Sequence, residues 1–477
     1  YEISACLVGS EMCIRDSAHI DHSGLIPLMY VNGFRGQVYS TSATAQLCEI
    51  MLRDSAHIQM FEAEWRNRKA ARSGGKLKEF VPLYDMDAAV NVCKQFVGCE
   101  YDRVYDIAEG IKIRFTDVGH LLGSASIEVW ATEKTENGDV TEKIVFSGDI
   151  GNINKPIIKD PKHVRDADYV VMESTYGNRS HGGTPNYVED LTDIFKRTFE
   201  RGGNVVIPSF AVGRTQELLY IIRKIKEDNL VGRDFDVYMD SPLAIEATNI
   251  FIKNVESCFD DEAVELVRKG INPLTFPGLK YATTGDESKQ INFDPNPKVI
   301  ISSSGMCEAG RIRHHLKHNL WRPECTIVFV GYQAVGTTGR IIVDGAEEIK
   351  LFGEPIQIKA EIVQLKGSSG HADKDGLLCW INAFDRKPKK VFVVHGEDSV
   401  CDEFTECLKE EYGYDAMAPY TGGSYDLIAD RVISEGVKER KTRRTTSTQR
   451  GKTVFDRLVA AGKRLMTVIT HLSLIHI

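Results

Sequence analysis

Five short apolar runs in this chain each end in a cluster of polar residues and glycine, and that repetition limits what the chain can fold into. Residues 169–172 lead into Glu173-Ser-Thr-Tyr-Gly. Residues 204–207 lead into Pro208-Ser-Phe-Ala-Val-Gly-Arg and a helical pattern over 215–226. Residues 299–301 lead into Ser302-Ser-Ser-Gly-Met-Cys, residues 362–365 into a Gly-Ser-Ser-Gly-His-Ala-Asp stretch, and residues 391–394 into His395-Gly-Glu. Strand, polar loop, helix is the repeating unit of α/β folds. In such folds the carboxyl ends of the strands gather the ligands. Upstream, residues 111–115 and 126–130 read as a strand pair around Gly119-His120, and 144–146 lead to Ser147-Gly-Asp149. Residues 54–105 read as charged surface helices.

Length and composition narrow the class. A chain of 477 residues, 42% hydrophobic and 27% charged, predicts roughly two to four globular domains. No apolar run reaches the roughly 18 residues of a membrane span, and no signal peptide is read. Eleven cysteines without a CxxC pair read as reduced thiols, which predicts a cytoplasmic protein. The net charge of −9 excludes a global basic field, so nucleic-acid binding would need a metal centre or a local groove.

The densest chemistry lies at residues 19–22. His19, Asp21 and His22 put two imidazoles and a carboxylate in one loop, the donor types of a zinc site. A loop can aim them at one point, where a strand would alternate them between faces. His120 lies between Gly119 and Gly123, and Asp149 between Gly148 and Gly151. Each alone reads as a turn residue more often than as a ligand. Following the histidine loop in this order, both become expected ligands, and an aspartate can bridge two cations.

The histidine loop resembles the His-x-His-x-Asp-His motif of the metallo-β-lactamase superfamily, with Ser17 in place of the first histidine. Glu173 of Glu-Ser-Thr-Tyr-Gly-Asn-Arg, His371 of Ser-Gly-His-Ala-Asp and His395 of Val-Val-His-Gly-Glu resemble the three motifs of its β-CASP branch. Over residues 18–430 the chain is similar to prokaryotic relatives of the mRNA 3′-end cleavage endonuclease. The resemblance implies an α/β fold: a metallo-β-lactamase αββα sandwich with an inserted Rossmann-like β-CASP domain. It implies a zinc-dependent hydrolase of RNA phosphodiester bonds, acting on single-stranded RNA without a membrane. It also allows a homodimer. Two zinc ions are expected on His19, Asp21, His22, His120, Asp149 and His395. Asp21 would also orient the attacking water, His371 would act as general acid, and Glu173 would orient His371. Ser17 breaks the pattern, because a neutral hydroxyl is a poor zinc donor, and a weakened first metal position is expected.

Arg214, at a helix start, is expected to grip an RNA phosphate. Ser209, Ser303, Ser304, Gly305 and Thr338 of the Gly336–Gly339 turn are expected beside it. His314, His315 and His318 read as a solvated helix face shared with Arg311, Arg313 and Lys317. Residues 1–17 show little strand or helix period and read as foreign sequence joined to a chain lacking its first strands. Residues 18–184 and 346–430 are expected to form the metallo-β-lactamase domain, 185–345 the β-CASP domain, and 431–477 a basic linker with a truncated helix. The alternatives are a catalytically impaired RNA-binding relative, a DNA nuclease, or a different metallo-hydrolase on the same scaffold.

Overall fold

The structure is a computed structural model that describes residues 12–72, 79–136, 138–180, 182, 186–365 and 369–438. Its largest sheet has seven strands. In spatial order they are Ala416–Met417, Lys390–Val394, Tyr169–Glu173, Gly138–Phe146, Ala125–Thr135, Ile111–Asp117 and Val104–Ala108. The first four run parallel and the rest form an antiparallel meander. The period-2 rule explains the sheet's two faces. Val170, Met172, Val391 and Val393 turn toward helices Lys374–Ile381 and Asp398–Glu410, where Trp380, Phe404 and Leu408 are buried. Ile113, Phe115, Ile127 and Val129 turn the other way, onto Ile14, Tyr39 and Cys99 of a smaller parallel sheet.

That smaller sheet consists of Met12–Ile14, Gln37–Thr41 and Phe96–Cys99. Helix Ser42–Arg72 covers it, burying Ala43, Leu47, Cys48, Leu52 and Ala56 at helical spacing. Helices thus lie outside two facing sheets, in the expected αββα order. Met12–Ile14 forms a strand although the sequence shows no period there; three residues are too few to display one. Residues 54–105 hold strands as well as helices: Phe96–Cys99 and Val104–Ala108 add to the two sheets.

The second lobe is a six-stranded sheet, parallel throughout, in the order Leu279–Tyr281, Asp236–Asp240, Lys298–Ser302, Val205–Pro208, Thr326–Phe329, Glu361–Gln364. Its strands Lys298–Ser302, Val205–Pro208 and Thr326–Phe329 are buried on both faces and read as largely apolar runs. The last strand lies beyond residue 345, where the sequence suggested that the inserted lobe ends. The hairpin Glu348–Leu351 with Glu354–Gln357 separates it from the rest of the lobe and hides its membership. The chain re-enters the larger sheet only at Lys390. Among the described residues no helix is long and apolar enough to cross a membrane. The expected basic linker and terminal helix fall almost wholly outside the described residues.

Asp117 ends the strand that leads to His120. Its carboxyl accepts the Gly119 N–H at 3.0 Å and is 5% exposed. Burial pushes its pKa up to about 7, against weaker opposition from that bond and from Lys159 and Lys162. Between about pH 4 and 7 the unfolded chain has lost this proton and the folded chain keeps it. Stability therefore falls as pH rises through that window, with a slope of up to about 1.4 kcal/mol per pH unit from this group. Asp117→Asn keeps the acceptor and removes the proton. Denaturant unfolding at pH 5, 6 and 7 should show the variant gaining on the parent at each step.

Candidate metal centre

Six segments meet at the carboxyl end of the larger sheet. The first follows strand Met12–Ile14 and carries Asp16, Ser17 and His19, then Asp21 and His22 in the short turn Ile20–Ser23. His120 lies between strands Ile111–Asp117 and Ala125–Thr135, and Asp149 just past Gly138–Phe146. Glu173 ends its strand, and His395 follows Lys390–Val394. His371 arrives on the segment that returns from the six-stranded lobe. Gly151 bonds through its N–H to the Val118 carbonyl at 2.8 Å, and a Cβ there would lie 1.9 Å from the Gly119 oxygen. Only glycine lets the Asp149 and His120 loops close to this distance.

The side chains converge. His19 Nε2 and His120 Nε2 are 3.0 Å apart. Asp149 Oδ2 is 3.2 Å from His22 Nε2 and 3.7 Å from His120 Nε2, and its Oδ1 is 3.4 Å from His395 Nδ1. Asp21 Oδ2 lies 3.9 Å from His22 Nε2 and 3.8 Å from His395 Nε2. Both Glu173 oxygens approach His371 Nδ1, at 3.2 and 3.3 Å, and Oε1 also accepts the Ile150 N–H. Among the described residues three ligand groups are close enough to share an ion: Asp21, His22 and His395; His120, Asp149 and His371; and Asp149, Glu173 and His395. The second of these contains His371, expected from sequence as an acid and not as a ligand.

Charge divides the imidazoles. Burial lowers the pKa of His19, and that of His120 further, leaving neutral rings with lone pairs to donate. Burial acts the same way on His22, but Asp16 and Asp149 outweigh it and lift His22 to about 12. His395 rises to about 9 against its burial, through Asp21 and Asp149. Asp21 falls to about 2, because His395 and His22 outweigh its own burial. Protons on these imidazoles thus neutralise a cluster of buried carboxylates. Yet His22 Nε2 and Asp149 Oδ1 are buried without a hydrogen bond. Imidazole and carboxylate donors facing one point, with such orphaned atoms among them, fit a divalent cation that displaces protons.

Comparison with known proteins identifies the family. The Beta-Casp domain family matches residues 215–342, and the Zn-dependent metallo-hydrolase RNA specificity domain matches 355–419. The ribonuclease TTHA0252 of Thermus thermophilus is 33% identical over 381 residues, covering 80% of each chain. The RNase J-like protein of Methanocaldococcus jannaschii is 31% identical over 384 residues, again 80% of each. The transcription termination factor FttA of Methanosarcina mazei is 32% identical over 411 residues, which span 84% of this chain and 60% of that protein. The chain belongs to the β-CASP family of metal-dependent ribonucleases.

In this β-CASP chain the residues expected to hold phosphate lie in the segments that follow strands Val205–Pro208, Lys298–Ser302 and Thr326–Phe329 of the six-stranded sheet. Ser209 is buried, its hydroxyl bonded to Phe210 O and Thr215. Arg214 Nη1 pairs with Glu217 Oε2 at 2.6 Å. Ser303 donates to Ser241, and Ser304 bonds the Ala309 backbone. Gly305 packs on Phe210, and the Thr338 N–H is taken by Glu308. His315 corrects the solvated-face reading. It is fully buried, with Nε2 2.6 Å from Asp240 Oδ2 and Nδ1 3.0 Å from Asn292 Oδ1. Helix Ile312–Asn319 buries Ile312, His315, Leu316 and Asn319, so His315 belongs to its apolar stripe.

Sequence reasoning missed three residues. Asp16 Oδ2 accepts from His22 Nδ1 at 2.9 Å and fixes that ring. Thr175 Oγ1 lies 3.3 Å from His395 Nδ1. Lys155 Nζ donates to the His120 carbonyl at 2.9 Å. The adjacency of Asp16 to the histidine loop was the one available signal. Ser17 Oγ accepts the His19 N–H at 3.2 Å, so its hydroxyl shapes the loop. Asp16→Ala should weaken zinc retention about 10- to 100-fold in chelator competition, the usual cost of losing a carboxylate behind a ligating histidine.

Proposed function

We propose that this chain hydrolyses single-stranded RNA at the metal centre, using two zinc ions. The observation that carries this reading is the position of Asp149. Its oxygens reach His120 of one imidazole group and His22 and His395 of the other, at 3.7, 3.2 and 3.4 Å. One carboxylate between two imidazole groups suits a pair of ions. His19 and His120 with Asp149 would hold the first; Asp21, His22 and His395 with Asp149 would hold the second. Bound there, the ions would act as Lewis acids toward the phosphate and make water a nucleophile at neutral pH.

The chain's own residues supply the rest. The Asp21 side chain, 63% exposed, stands at the mouth of the cluster, where it can accept from the attacking water. Glu173 engages His371 Nδ1, leaving Nε2 for substrate. Burial lowers the pKa of His371, but Glu173 and Asp149 outweigh it and raise the pKa above the ordinary imidazole value, which favours the protonated ring. In-line attack on phosphorus expels a ribose oxygen, and His371 passes its Nε2 proton to it. In this reading residues 18–184 and the chain after Gln364 form the catalytic lobe, and the six-stranded lobe between them covers the RNA.

One observation favours a second reading, in which the chain binds RNA without cutting it: Ser17 offers the first position no imidazole. Single-turnover assays with zinc-loaded protein and end-labelled single-stranded RNA separate the two. Cleavage of RNA that fails on a 2′-deoxy strand supports a ribonuclease. Bound but intact RNA at saturating zinc overturns the proposal. His371→Ala should slow cleavage about 10²- to 10⁴-fold, with zinc per chain by elemental mass spectrometry unchanged.

A further inference from the structure

A buried lysine, glutamate and arginine tie the six-stranded lobe to the metal centre. Lys155 lies six residues after Asp149, in the loop that leaves the larger sheet. Arg214 and Glu217 lie in the first turn of helix Arg214–Glu227, which follows strand Val205–Pro208 of the other lobe. Lys155 Nζ is 3.2 Å from Glu217 Oε1, and Glu217 Oε2 is 2.6 Å from Arg214 Nη1. Their side chains are only 11%, 10% and 16% exposed. The same ammonium donates to the backbone carbonyl of His120 at 2.9 Å. Beside it, Leu121 packs on the turn before the helix: a Cβ at Gly213 would lie 3.0 Å from Leu121 Cδ1.

Desolvating three charges is costly, and an apolar contact could join two lobes as well. The arrangement accomplishes something an apolar contact could not. The His120 ring is held through Nδ1 by the Gly370 carbonyl at 3.1 Å, and a Cβ at Gly370 would lie 3.1 Å from the ring. Lys155 holds the other end of the residue, at its backbone. With both ends held, His120 Nε2 points toward His19 and Asp149, at 3.0 and 3.7 Å. The fixed end is anchored in turn by Glu217, on the opposite lobe.

We propose that Lys155 and Glu217 are positioning residues, through which the six-stranded lobe sets the place of the ligand His120. This rests on the reading of His120 as a metal ligand. Arg214 thereby takes a role other than direct phosphate grip: it holds Glu217 toward Lys155.

The test uses the full chain as parent, Lys155→Met, Lys155→Arg and Glu217→Gln. Three quantities are read: cobalt(II) affinity and its visible spectrum with cobalt alone, the Tm of the chelator-stripped protein, and kcat and KM on single-stranded RNA. Lys155→Met and Glu217→Gln should weaken cobalt binding at least tenfold and shift the spectrum. kcat should fall, and KM should stay within twofold. Lys155→Arg, which keeps a donor and a charge, should recover most of the loss. Parent-like cobalt affinity and spectrum in both variants, with only Tm lowered, overturns the proposal and leaves the bridge purely structural. If Lys155→Met does not fold, Glu217→Gln decides alone, because it keeps the lysine and removes only its anchor. A parent that binds no cobalt overturns the metal-centre reading and this proposal together. A parent that binds and cleaves while the variants match it overturns this one only.

Discussion

Val394 and Glu173 are register partners in the larger sheet, although 221 positions separate them in the chain. The whole candidate site depends on that pairing. Parallel strands leave a sheet side by side, so the residues after them, Ser174 and His395, emerge together, and the Ser174 N–H reaches the His395 carbonyl at 3.4 Å. The next strand, Gly138–Phe146, pairs with Tyr169–Glu173 and delivers Asp149 to the same edge. Pairing is enforced by burial on both faces: Val391 and Val393 under the helices, Phe392 and Val394 against Tyr169, Val171 and Tyr425. A slip of one residue would exchange these faces and turn every strand-end residue away from the cluster.

Holding the cluster together strains the backbone. His395 has φ +54°, a left-handed conformation that costs a non-glycine residue about 1–3 kcal/mol. The turn is forced by its neighbours: a Cβ at Gly396 would lie 2.6 Å from Ser174 Oγ. Bending the chain here sends the imidazole back over Asp149 and Asp21 instead of onward into helix Asp398–Glu410. Strain of this kind persists where surrounding packing fixes both flanks, and the buried strand before His395 and the helix after it do so.

The sequence made the strand ends legible because each is a local event: an apolar run, then glycine and polar residues. The histidine loop, His120, Asp149, Glu173, His371 and His395 all sit at such ends, and the structure gathers them. What the sequence hid depends on partners far away in the chain. Arg-Asp-Ser-Ala-His-Ile occurs twice. At 15–20 it forms the loop carrying Asp16 and His19; at 53–58 it is one and a half turns of helix Ser42–Arg72. Nothing within the hexapeptide separates the two outcomes, since tertiary packing overrides local propensity. His315 misled for the same reason: its charged neighbours on the helix suggest solvent, while Asp240, on a strand, decides its burial. Arg214 read as a phosphate grip, although Glu217 lies one turn along its own helix; the distant partner that the sequence hid is Lys155, which holds Glu217 from the other lobe.

These hidden partners change how an acidic protein can attract RNA. Basic groups near the cleft are already engaged by carboxylates: Arg214 and Lys155 share Glu217, and Arg311 pairs with Asp240 at 2.7 Å. Phosphate affinity built on released counterions needs uncommitted lysine and arginine, and would fall steeply with salt. At the metal centre the order of charge is reversed. Carboxylates of Asp16, Asp21, Asp149 and Glu173 dominate the cluster, and only protons or cations can balance them. In the proposed reading, divalent ions would take the place of the protons that balance those carboxylates in the metal-free site. Recognition of the phosphodiester and its cleavage would then rest on the same ions.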